Sequence, residues 1–170
     1  MGAWQWGAVC RTMSPSRAAG PPMRRVYSVL MEGGDGVFVE KNPAGKVVQQ
    51  GRLVDGQLEG ELVQYDESGR LLAKMTYRGG LLDGESLFYD GGELKVRSQF
   101  RGGVQEGESV VYGDNGKPAM TSTYRAGKLD GPSSWFRADG SLMKTAQFAA
   151  GVQTGEAVEY DERGRVVKRK

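Results

Sequence analysis

Residues 60–83 read GELVQYDESGRLLAKMTYRGGLLD. The first six are β-prone, and the tetrad Asp66-Glu67-Ser68-Gly69 then supplies turn chemistry. In such a tetrad the glycine takes the positive φ that closes a short hairpin loop. Beyond the loop Leu71, Ala73, Met75 and Tyr77 alternate with Arg70, Leu72, Lys74 and Thr76. A period of two with one polar side predicts a half-buried antiparallel strand. The closing GGLLDG, glycine at both ends, turns the chain back towards another strand. One such stretch is one β-hairpin.

Working outward, the same hairpin recurs. Units open at Gly36, Gly60, Gly84, Gly107, Gly131 and Gly155, at spacings of 24, 24, 23, 24 and 24. One aromatic column holds Tyr65, Tyr89, Tyr112, Phe136 and Tyr160, and a second holds Tyr77, Phe100, Tyr124 and Phe148. A glycine follows each: Gly69, Gly92, Gly116, Gly140 and Gly164 after the first column, and Gly80, Gly103, Gly127 and Gly151 after the second. No apolar stripe of helical period runs for three turns, and a helix would lose ~1 kcal/mol at each of the frequent glycines. A lone hairpin buries a few apolar side chains at ~1.5–3 kcal/mol each, less than the ~1–2 kcal/mol per residue needed to order it. The units therefore fold as an array. The expected fold is all-β: an elongated single-layer antiparallel meander of six tandem hairpins spanning 36–170. Within 23–35, RRVYSVLM at 24–31 is expected to form one capping strand, and the tail RGRVVKRK to blunt the far edge with charge. Residues 1–22 read as a disordered leader, or as an over-extended start with the initiator at Met13 or Met23.

Composition narrows the chemistry. The chain has 170 residues, 27 of them glycine, no histidine and one cysteine, Cys10. A Ser/His/Asp triad, a Cys/His dyad, a histidine-held zinc and an internal disulfide are excluded. No cofactor and no metal site is expected. A formal charge of +2 lacks the dense basic surface of a nucleic-acid binder, so no nucleic-acid partner is expected. No apolar run reaches the ~18 residues of a membrane-spanning helix. The leader lacks a positive start and an unbroken apolar stretch, which favours a cytoplasmic location over a periplasmic or membrane-anchored one.

The run G-E-x-x-x-Y-x-x-x-G-x-L followed by Y-x-x-G-x-x-x-G, copied from Gly36 to the C-terminus, resembles the variant form of the MORN repeat over about four-fifths of the chain. Lys41 and Leu53 stand in the two aromatic columns of the first copy, and Pro132 replaces the usual glutamate of the fifth. The resemblance implies twisted single-layer sheets built from consecutive hairpins. It also implies, for bacterial arrays, antitoxins or immunity proteins of toxin systems, and elsewhere protein-binding scaffolds and phospholipid-surface adaptors. It brings no catalytic residues, because the repeat is an architecture.

Three residue sets are candidates for function, and the aromatic columns are expected to be structural, since cross-strand aromatic pairs contribute roughly 0.2–1 kcal/mol each. On the opposite side of each first strand from its aromatic lie Gln64, Phe88, Val111, Trp135 and Glu159. Phe88, Val111 and Trp135 are apolar where a solvated face should be polar, which marks a contact line for a partner. Acidic residues bracket the opening glycines: Glu59 and Glu61, Asp83 and Glu85, Glu106 and Glu108, Asp130, and Glu156. They form a comb that could dock a basic partner. Arg78, Arg101 and Arg125, with Lys168, Arg169 and Lys170, are the candidates for phosphate or lipid headgroups. The glycines of GGDG at 33–36 are turn formers, lacking the helix and lysine of a phosphate loop. The expected function is non-enzymatic binding of a protein, in the first reading a cognate toxin held by Phe88, Val111, Trp135 and the acidic comb. The alternative is a scaffold or membrane-surface adaptor using the arginines.

Overall fold

The computed structural model describes residues 35–169. The expected leader at 1–22 and the capping strand at 24–31 lie outside the described residues. Thirteen strands follow one another: β1 (Gly36–Lys41), β2 (Val47–Val54), β3 (Gln57–Leu58), β4 (Gly60–Tyr65), β5 (Leu71–Arg78), β6 (Leu81–Asp90) and β7 (Glu93–Arg101). Then come β8 (Val104–Tyr112), β9 (Pro118–Arg125), β10 (Lys128–Phe136), β11 (Leu142–Ala149), β12 (Val152–Tyr160) and β13 (Val166–Arg169). All belong to one sheet in chain order, antiparallel throughout, with the two-residue β3 set off beside β2. This is the hairpin meander expected from the sequence. Pro132 sits inside β10 opposite Gln147, so its substitution for glutamate leaves that register intact.

Two kinds of turn alternate and give the sheet two different margins. At one margin the loops are five residues long and organised by an acid or amide. Asp66 Oδ1 accepts the amides of Ser68 and Arg70, both at 2.8 Å, and Asn42 and Asp161 repeat the arrangement. Between β6 and β7 the paired residues Tyr89 and Leu94 are separated by four residues, through Gly91 and Gly92, where Tyr65 and Leu71 are separated by five, and this accounts for the single 23-residue spacing. At the other margin the turns have two residues of positive φ, as at Gly79 (54°) and Gly80 (79°). Two positive φ angles define the type I′ turn, whose twist matches paired strands. Ala126 at φ 49° and Ala150 at φ 51° occupy the first turn position without glycine.

Beside each five-residue loop the register slips. Tyr65 pairs with Leu71 while Gln64 pairs with Ala73, so β5 carries one extra residue there. The simple alternation expected for Leu71, Ala73, Met75 and Tyr77 is therefore broken at its start: the bulge sets Leu71 opposite the aromatic Tyr65 instead of in line with Ala73. The same slip recurs at Tyr89, Tyr112, Phe136 and Tyr160.

Register places one row of residues across the middle of one face: Leu62, Met75, Ser86, Ser98, Ser109, Ser122, Ser133 and Ala146. All are buried, Ser86 completely. At the N-terminal end the row is apolar, and Leu62, Ala73 and Met75 form a small core with Phe38, Leu58, Tyr77 and Leu82 against it. From β6 onward serines replace the large residues, and they bond in pairs between neighbouring hairpins: Ser98 with Ser109 at 2.9 Å and Ser133 with Ser122 at 3.2 Å. Ser86 faces Met75 where another serine would complete the next pair, and its hydroxyl has no partner. An unpaired buried hydroxyl costs roughly 1–3 kcal/mol. Ser86→Ala is therefore expected to raise stability by about 1 kcal/mol, whereas Ser98→Ala strands Ser109 and lowers it by about 1–2 kcal/mol. Denaturant midpoints of the two variants should move in opposite directions. Equal losses would show that Ser86 is satisfied.

Candidate partner-binding face

The row next to the serines, on the same face, contains the apolar candidates. Its register mates run Ala73, Phe88, Val96, Val111, Met120, Trp135, Lys144 and Glu159. On the other side of Ala73 it continues through Gln64, Gln49 and Glu40. Phe88 and Val111 are 36% and 39% exposed, and Trp135 is half-buried with the Lys144 ammonium 5.1 Å from its ring centre. The sequence named every second member of this row. Val96 and Met120, supplied by the intervening strands, fill the gaps, and only strand register reveals them. At ~4.8 Å per strand the apolar stretch from Ala73 to Trp135 is about 24 Å long. It has polar residues at both ends, the plan of an apolar contact centre with a polar rim.

This is also the face of the second aromatic column, because Tyr77, Phe100, Tyr124 and Phe148 lie two residues beyond the buried row on the opposite flank. The serines are thus roofed by side chains from both flanks. The apolar row is the outer shoulder of a packed face, and is not isolated on a solvated one. The first aromatic column, Tyr65 through Tyr160, belongs to the other face, where Tyr65 Oη lies 3.4 Å from Gln50 Nε2.

The acidic comb divides into two sets with different work. Glu59, Asp83, Glu106 and Asp130 each accept the first amide of the next type I′ turn, from Gly79, Gly102, Ala126 and Ala150 at 2.8, 3.2, 2.8 and 3.3 Å. Asp35 makes the same bond to Asp55. The following turn amide is taken by the carbonyl preceding the acid, as when Gly103 donates to Leu82 at 2.7 Å. Each hairpin is in this way pinned to the one before it. Glu85 and Glu108, by contrast, project from the sheet face and flank Arg97 at 3.8 and 2.7 Å. The acids that bracket the opening glycines therefore do not form one comb.

Among the arginines, Arg78 and Arg125 lie 3.7 and 3.8 Å from Asp83 and Asp130. Among the described residues no carboxylate stands within ion-pair distance of Arg101. The five-residue loops are stapled to one another by long side chains. Lys46 donates to the Ser68 carbonyl at 3.3 Å, Lys95 pairs with Asp114 at 2.8 Å, and Lys117 donates to the Asp139 carbonyl at 3.1 Å. Arg137 donates to the carbonyls of Leu142 (2.8 Å), Tyr160 and Asp161 (3.5 Å). The amide and guanidinium of Arg70 hold the Asp66 carboxyl below the ordinary carboxylate range, and Arg165 does the same for Asp161. The Lys95 ammonium likewise lowers Asp114, while Asp114 and Glu93 raise Lys95. These shifts deepen the ordinary charge states and set no group near neutrality.

One open depression of about 540 Å³ lies at the last two loops, lined by Arg137, Met143, Lys144, Glu159, Tyr160 and Val167 among others. The Arg137 donors directed into it are committed to backbone carbonyls. Among the described residues there is no cluster of carboxylates or thiols able to hold a metal ion, and no helix long and apolar enough to cross a membrane.

Leu58 to Arg78, which carry a Gly-Glu opening, the two aromatics Tyr65 and Tyr77 and the loop glycine between them, form the unit nearest the expected pattern. Residues 58–78 match the MORN repeat variant. No curated protein matches the chain. The matched MORN unit contains the core residues Leu62, Ala73 and Met75. Its strand pairing, bulge and turn cap are repeated by the hairpins that follow it. A protein assembled from such units is a repeat-built binding or scaffold protein.

Proposed function

We propose that this chain is a non-enzymatic protein-binding ribbon, and that its partner is a cognate toxin neutralised by occlusion. The half-exposed apolar row from Phe88 to Trp135 carries the reading. An apolar line of this length on a thin sheet gains most when a partner covers it. Trp and Phe at its ends are the residue types that dominate contact energies. Glu85, Glu108 and Arg97 lie on the opposite face, so they would not touch a partner seated on the row. Asp83, Glu106 and Asp130 support it by fixing the turns.

Two measurements together test the proposal. A tagged full-length chain should retain a specific protein partner from its native host, and co-expression should restore the growth that this partner alone suppresses. Retention without growth rescue would discard the toxin and keep a scaffold. Retention that persists unchanged when Phe88 and Trp135 are both replaced by serine would discard the row as the contact.

A further inference from the structure

The face opposite the Phe88–Trp135 row carries a second ordered surface, independent of what that row binds. Tyr65, Tyr89 and Tyr112 stand at the loop ends of β4, β6 and β8, one tyrosine for every two strands, and all three are half-buried. Val63 and Val110, two residues before Tyr65 and Tyr112 on the same face, are 6% and 3% exposed, so the rings have a packed floor beside them. Leu72, on the strand between the first two rings, is 41% exposed and extends the apolar surface.

The repeat distance selects the ligand backbone. At ~4.8 Å per strand the tyrosines recur every ~9.6 Å. A polyproline II helix presents the same side every three residues, an interval of ~9.3 Å. Over the two steps from Tyr65 to Tyr112 the misfit is about 0.6 Å. An extended strand turns its third residue to the far side, and two turns of α-helix span ~10.8 Å, so neither keeps step with the hairpins. Polyproline II also has no internal hydrogen bonds, which leaves its carbonyls free to accept from tyrosine hydroxyls. Tyr65 Oη accepts from Gln50 Nε2 at 3.4 Å and keeps its own proton to donate.

Charge selects the side chains. The loops beside Tyr65 and Tyr89 carry Asp66, Glu67, Asp90 and Glu93 against Arg70 and Lys95. Arg70 is engaged by Asp66 at 2.8 Å, and Lys95 by Glu93 and Asp114 at 3.0 and 2.8 Å. Glu67 and Asp90 are exposed, and among the described residues neither has an ion pair. They lie one hairpin apart, the same interval as the rings. Lys74 lies one row inward, between Val63 and Leu87, on the flank away from these acids. The cationic side of a ligand is therefore directed towards the loops.

We infer that this tyrosine column binds a basic, proline-rich segment of another protein in the polyproline II form. Prolines at every third position rest on the rings, and lysines or arginines of the same period meet Glu67 and Asp90. Fluorescence anisotropy of labelled peptides against the full-length chain tests it. A fifteen-residue Pro-Pro-Lys repeat should bind saturably, and a Pro-Pro-Glu repeat should not bind. A Pro-Pro-Pro-Lys repeat with as many lysines keeps the helix and the charge but falls out of step, and should bind about tenfold more weakly. Glu67→Lys combined with Asp90→Lys should weaken the Pro-Pro-Lys repeat about tenfold. Tyr89→Leu, which keeps an apolar side chain on the sheet, should weaken it by a similar factor with the β-sheet circular dichroism retained. If that variant fails to fold, the charge reversal still decides. Equal binding of the period-three and period-four peptides, or unchanged binding to the charge-reversed chain, would overturn the inference. Binding of the glutamate repeat would overturn it too, as would binding of a linear glucan in place of every peptide, which would make the column a sugar platform.

Discussion

Gly84→Ala is expected to lose about 3 kcal/mol of stability, the sum of backbone strain and a forced contact. Gly84 sits at φ 129°, and a Cβ built on it meets the Cβ and Cγ2 of Thr76 at 3.1 and 3.2 Å. That backbone region is essentially closed to residues with a side chain. The threonine is half-buried on the neighbouring strand and pairs with Glu61, so it has little room to retreat. Gly79→Ala makes the informative control. Its φ of 54° is close to that of Ala126, at 49° in the same turn position two hairpins later, so the fold already accepts alanine there. The control should cost at most about 1 kcal/mol. Urea midpoints for both variants decide the point, and equal losses would mean that Gly84 is replaceable.

The second large effect concerns binding. Trp135→Ala should weaken capture of the protein partner about thirty-fold, the loss associated with an aromatic anchor worth roughly 2 kcal/mol. The melting temperature should stay within a few degrees, because the ring is half-buried on the outer row and the buried row beneath it is built from Ser122, Ser133 and Ala146. Phe136→Ala, its neighbour on the other face, should leave capture unchanged. Titration of the immobilised partner with each variant separates the two faces. A collapse of stability in Trp135→Ala would instead make the tryptophan part of the core.

The hairpins were legible because their punctuation is chemical: glycine where φ turns positive, an acid or amide where loop amides need an acceptor, and alternation between. What escaped the sequence was everything set by register. Val96 and Met120 looked like ordinary strand residues until pairing put them between Phe88, Val111 and Trp135. The serine row was not singled out in the sequence, yet Ser86 and Ser133 are among the most buried residues because side chains on both flanks close over them. Asp83 and Glu85 looked equivalent, two acids on either side of a glycine. One caps a turn about twenty residues away and the other meets Arg97 across a strand. A linear text carries no distance between adjacent hairpins, and that distance is what separates a cap from a surface charge.

Among the described residues each strand pairs only with its neighbours in the sheet, which follow chain order apart from the short β3, and each turn cap reaches back a single hairpin. A load applied at the two ends therefore has no cross-brace to share it. Under tension in an optical trap such a ribbon would lengthen in successive increments, one per module, starting from whichever terminus is held less firmly. Conversely, a module could be inserted or excised whole, since the joint it leaves behind is the joint that was there before.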